Sequence, residues 1–92
     1  LKKSKFIEKL DENKFNIYSG PLHIVSFIPK NMDTKESNNW TFKAKNFLFE
    51  KNFMISRPFY KGKFYLRIVF GNFNTTLRHI LELSNLLNNF NT

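Results

Sequence analysis

One guanidinium interrupts the most strand-like stretch of this chain, and it constrains the architecture around it. Phe64 to Phe70 reads FYLRIVF, an aromatic, aliphatic and β-branched run with Arg67 at its centre. Successive side chains of a strand point to opposite faces, so the run divides into two sets. Phe64, Leu66, Ile68 and Phe70 form the better core set, and Tyr65, Arg67 and Val69 face the other way. Arg is almost never buried unless paired. The alternation therefore predicts a sheet with one packed face and one free face, with Arg67 on the free one.

The rest of the chain supplies the other elements. Phe6, Ile7 and Leu10 recur at helical spacing, which predicts an amphipathic helix from Lys2 to about Asn13. Phe15 to Tyr18 reads as a short strand closed by Ser19-Gly20-Pro21, and Leu22 to Ile28 (LHIVSFI) as a strand stopped by Pro29. Lys30 to Asn39 is polar and reads as a surface loop, with Asn38 or Asn39 capping a helix from about Trp40 to Lys51. That helix places Ala44, Phe47 and Leu48 on one face, with Trp40 or Thr41 one turn before. Phe53 to Arg57 reads as a strand ended by Pro58, and Lys61-Gly62 as a hairpin turn into Phe64–Phe70. Asn74 caps a last helix, whose stripe is Leu77, Ile80, Leu81, Leu83, Leu87 and Phe90. Hairpin-joined strands with helices segregated to one side make an α+β two-layer sandwich with a mainly antiparallel sheet.

Size holds this to a single domain over residues 1–92, with 30–39 as its surface loop. Twelve Phe in a chain of 92 is heavy aromatic loading, which predicts that some rings lie on a surface meant for another domain or chain. The first residue is Leu1 rather than Met, as expected of a piece of something longer. No run approaches the roughly 20 apolar residues of a membrane span. The absence of Cys excludes a disulfide framework and thiol chemistry, and makes the cytoplasm the expected compartment. A net charge of +8 permits a polyanionic partner.

No complete active site is visible. His23 lies in a strand and His79 on a helix, with no Cys or acid at ligand spacing, so they read as packing or surface residues rather than metal ligands. Ser26, Ser56 and Ser84 lack the context of an activated nucleophile. Three unclustered glycines make no phosphate-cradling loop. The carboxylates Glu8, Asp11, Glu12, Asp33, Glu36, Glu50 and Glu82 form no obvious general-acid pair. On pattern alone Arg67 is either a solvated or salt-bridged strand residue, or a clamp for a carboxylate or phosphate, whose geometry its planar fork matches.

Several motifs, in order, carry a resemblance. They are the weak strand FNIYSGP, the strand LHIVSFIP, a variable polar loop, the helix WTFKAKNFLFEKN, then ISRPFYKGKFYLRIVFGNFNTT and the terminal helix TTLRHILELSNLLNNF. From about Phe6 to Phe90 the chain resembles the C-terminal small domain of the group II pyridoxal-phosphate-dependent decarboxylases. That family contains the glutamate, aromatic amino acid and diaminobutyrate decarboxylases. YLRIVFGNFNTT is similar to the family's "LR-hydrophobic" strand and "N-x-x-TT" turn, with Phe73 standing where Pro is common.

The resemblance implies the small domain of a fold-type I enzyme, working as a cytoplasmic homodimer on an amino acid substrate. It implies that pyridoxal phosphate, the electron sink when carbon dioxide leaves, is held by a large domain upstream. It also implies that this chain has no catalytic residue of its own and that Arg67 reaches towards the substrate carboxylate. Asn72 and Thr75 match the turn and the cap, as structural residues. The order β-α-β-β-α from Leu22, together with KGKFYLRIVF, is also loosely like an RNA-recognition fold. A free-standing basic module for RNA or an acidic protein is the alternative. A third reading is a truncated remnant of such an enzyme, exposing its Phe-rich surface.

Overall fold

Alternation governs the strand around Arg67 as the sequence predicts. In the computed structural model, which describes residues 2–21, 23–51, 53, 55–70 and 77–90, β5 spans Leu66–Val69. Leu66, Ile68 and the following Phe70 are buried, whereas Arg67 and Val69 are exposed. Before it come α1 (Lys2–Lys9), β1 (Phe15–Ser19), β2 (Ile24–Pro29), α2 (Thr34–Glu50), β3 (Phe59–Tyr60) and β4 (Lys63–Phe64). After it comes α3 (Leu77–Asn88).

The main sheet is antiparallel, in the order β1-β2-β5. Val25 opposes Ile68 and Phe27 opposes Leu66. These four join Phe6 of α1, Leu10 just after it, Trp40, Ala44 and Leu48 of α2, and Ile80, Leu83 and Leu87 of α3 in one core. The helices therefore cover one face of the sheet, an α+β two-layer arrangement. Tilted and edge-on rings fill the layer between, with Phe6 against Phe27 and Phe70, and Phe15 against Phe27 and Trp40.

Asn88 ties the ends of α1 and α3 together. Its Oδ1 accepts the Asp11 N–H at 2.8 Å, and its Nδ2 donates to the Lys9 carbonyl at 2.9 Å. The Lys9 carbonyl is one of those that a helix C-terminus leaves without an intrahelical partner. α1 stops short of the expected Asn13 because Asp11 builds a turn. Its Oδ1 accepts the Asn13 N–H at 2.9 Å, and its carbonyl accepts from Lys14 and Phe15.

The structure departs from the sequence reading elsewhere too. α2 begins at Thr34, and its cap is Asp33 rather than Asn38 or Asn39. Asp33 Oδ1 accepts the Glu36 N–H at 2.8 Å. The surface segment expected at 30–39 is thus shorter, and Ser37 is already buried within the helix. Phe53 to Arg57 does not form a strand; among its described residues only Ser56 bridges β5, opposite Arg67. β2 runs from Ile24 to Pro29 rather than from Leu22 to Ile28. Leu81, expected in the apolar stripe of α3, is 40% exposed. It lies off the face set by Ile80, Leu83 and Leu87, which recur three and four residues apart. The Asn72–Thr76 turn, with the Asn74 cap, lies outside the described residues.

The Lys61-Gly62 turn forms as expected, but it closes the short pair β3–β4, a sheet of its own, and the expected strand Phe64–Phe70 is interrupted at Tyr65 between β4 and β5. Lys61 and Gly62 have φ of 49° and 82° between β3 and β4, the double left-handed conformation of the two-residue turn that suits strand twist.

Candidate functional site

The open face of the sheet is built around one row of opposed residues. Tyr18 of β1 faces Ser26 of β2, Ser26 faces Arg67 of β5, and Arg67 faces Ser56 beyond the strand. In the next row Ile24 opposes Val69, which is 57% exposed. Tyr65 lies two residues from Arg67 and therefore on the same side. Its ring stands edge-on to Tyr18 at 6.0 Å and to Tyr60 at 6.4 Å. Arg67 thus lies beside a cluster of three tyrosines, with a serine hydroxyl opposite it on each side.

Ser56 holds this arginine. Backbone bonds run both ways between the two residues, at 3.1 and 2.9 Å. Arg67 Nε donates to Ser56 Oγ at 3.2 Å, and Ser56 Oγ donates to the Arg67 carbonyl at 3.3 Å. Among the described residues Arg67 makes no ion pair; the pairs present run from Glu8 to Lys5 and Lys9 on α1. Its two terminal nitrogens have no hydrogen-bond acceptor among those residues. An exposed guanidinium with its terminal edge unoccupied can clamp a planar anion through two parallel bonds.

A second guanidinium, which sequence reasoning did not single out, is structural. Arg57 Nε donates to Thr41 Oγ1 at 3.0 Å, and Nη2 donates to the Asn38 carbonyl at 2.7 Å. Its guanidinium carbon stands 3.7 Å from the Phe64 ring centroid and 5.5 Å from that of Phe42. Asn38 Oδ1 accepts the Phe64 N–H at 3.0 Å. Arg57 and Asn38 thereby fasten the hairpin to α2. Burial lowers the Arg57 pKa from its ordinary value, but the group stays charged near neutral pH.

The other candidates are dispersed. His23 gives its carbonyl to the Phe70 N–H, and His79 is exposed on α3. Among the described residues no three His, Cys, Asp or Glu gather as a metal site. Ser84 is buried and donates to the Leu81 carbonyl at 3.0 Å. Asp33 and Glu36 are the carboxylates brought together, at the exposed start of α2. The Glu36 N–H lowers the Asp33 pKa, and the hydrogen bond and charge of Asp33 raise that of Glu36. That pair is a helix cap.

Among the described residues, the cavity beside β1 gives pyridoxal phosphate no cradle. This cavity, of about 330 Å³, is lined by Ile7, Glu12, Phe15, Asn16, Ile17, Ser19 and Lys30. It has neither a helix N-terminus nor a glycine turn to receive a phosphate. Among the described residues no helix is long and apolar enough to cross a membrane. No protein-family model matches the sequence, and no curated protein matches it.

Proposed function

We propose that this chain is the C-terminal small domain of a pyridoxal-phosphate-dependent amino acid decarboxylase, and that Arg67 is its contribution to the substrate site. The observation that carries the reading is the placement of Arg67. It stands exposed on the sheet face away from the helices, without an ion pair or an acceptor for its terminal nitrogens among the described residues. The ordered likeness to the decarboxylase small domain supplies the identity of the facing body, a large domain that binds the cofactor. Within such an enzyme this chain would close the cleft and hold the substrate's carboxylate. Exposed Phe59, Tyr60 and Val69 accord with a surface that another body covers. A cytoplasmic homodimer remains part of the proposal.

The test uses the polypeptide that carries this chain. Carbon dioxide release from amino acids is measured alongside cofactor content, for the natural sequence and for Arg67→Ala. The expected result is loss of most activity with cofactor retained. A fully active variant overturns the clamp, and a polypeptide that takes up no pyridoxal phosphate overturns the family reading.

The basic RNA-binding alternative draws on the tyrosine cluster beside Arg67. The central strand β2, however, places Ile24 and Ser26 on that face, so it offers no ring for base stacking there. Micromolar binding of single-stranded RNA with a steep salt dependence would favour that alternative instead.

A further inference from the structure

Ser56 is an exposed residue in a segment without regular structure, yet it makes four hydrogen bonds with Arg67. Two are backbone bonds and belong to the bridge. The other two belong to the hydroxyl and form a closed link. Ser56 Oγ gives its proton to the Arg67 carbonyl at 3.3 Å, which leaves a lone pair that accepts Arg67 Nε–H at 3.2 Å. A serine hydroxyl has one proton and two lone pairs, so both bonds can exist together. The hydroxyl therefore connects the backbone of Arg67 to its own side chain. It restrains the rotations that would otherwise let a long strand arginine sweep across the open face.

Resting on the reading of Arg67 as an anion clamp, we propose that Ser56 is its positioning residue. Ser56 occupies the Nε side of the guanidinium, so the edge offered to an anion is the one formed by the two terminal nitrogens. A carboxylate then meets the fork end-on, and less side-chain freedom is lost when it binds. Ser26, opposite Arg67 on the other side, makes no such bond to it among the described residues, so the restraint is one-sided.

The experiment reads the Nε–H of Arg67 in the ¹⁵N-labelled chain by its exchange with water. Arg78, exposed on α3, serves as the internal reference. A hydrogen bond of ordinary net strength slows Arg67 exchange by roughly two- to tenfold relative to Arg78. Ser56→Ala removes the hydroxyl and keeps the backbone bridge, so the amide spectrum should hold while the protection disappears. Ser56→Thr keeps the hydroxyl and should restore it. Equal exchange of the two arginines in the natural chain, or protection that survives Ser56→Ala, overturns the proposal.

In the decarboxylating polypeptide, Ser56→Ala is expected to raise KM for the amino acid several-fold with little change in kcat, and Ser56→Thr to rescue it. An unchanged KM overturns the positioning role. The exchange measurement needs no substrate, so a failure of the decarboxylase reading is distinguishable from a failure at Ser56.

Discussion

Removing Arg57 tests the physical account of how the hairpin and the Ser56 segment are held beside the open face. Arg57→Ala deletes hydrogen bonds of 3.0 and 2.7 Å to Thr41 and Asn38, and a cation resting on the Phe64 ring. Hydrogen bonds to a charged group contribute about 1.5 kcal/mol each at the lower end, which suits a half-buried side chain. The ring contact adds about 1 kcal/mol. Against this stands the desolvation of the charge, visible as its lowered pKa, which the substitution relieves. Thr41 is fully buried but keeps its own bond to the Asn38 carbonyl at 3.0 Å, so no buried hydroxyl is orphaned. The net loss is therefore about 2 kcal/mol, or a fall in Tm of about 10 °C for a domain of this size.

Urea unfolding followed by the fluorescence of Trp40, the single and buried tryptophan, reads this loss directly. Arg57→Lys keeps the charge but not the fork, and should retain less than half of the stabilisation. A loss below about 0.5 kcal/mol for the alanine variant, or a lysine variant as stable as the natural chain, would refute the reasoning.

Two further outcomes follow from local geometry. Gly62→Ala should cost about 1 kcal/mol in the same assay, through the backbone alone. Its φ is +82°, and an added Cβ meets nothing within 4 Å. Gly62→Asn should be milder, because Asn adopts that conformation more readily. The α2 cap should also be pH-dependent. The folded-state pKa of Asp33 lies below its unfolded value, chiefly because the carboxylate accepts the Glu36 N–H. Its contribution is therefore present above about pH 4 and lost as the pH falls through the lowered value. The raised pKa of Glu36 acts in the opposite sense, its contribution fading as the pH rises. Asp33→Ala should flatten the acid side of the stability profile; an unchanged profile would contradict the cap assignment.

The division of β5 into two faces was legible because period-two alternation needs no knowledge of partners. The Lys61-Gly62 turn was legible for the same local reason. The start of α2 was not. Asp33 to Asn39 is polar throughout, and Ser37, the one residue there that is buried, carries no apolar signal. The segment around Ser56 had the composition of a strand, but a strand needs a neighbour along its length. Pro58 has no N–H to give, and β5 accepts a bridge at Ser56.

The candidate site divided along the same line. The face of Arg67 could be read from the strand that bears it. Its neighbours Ser56 and Ser26 come from two other segments and meet it only through cross-strand register. Arg57 escaped notice because its partners, Thr41 and Asn38, lie 16 and 19 residues away and meet it only in the folded chain.

The most direct test of the central claim compares Arg67→Ala with the natural sequence in the polypeptide carrying this chain. It measures carbon dioxide release from amino acids and bound pyridoxal phosphate on the same samples. The account predicts unchanged cofactor content with most of the activity lost. Full activity in the variant, or no cofactor in either protein, would contradict it.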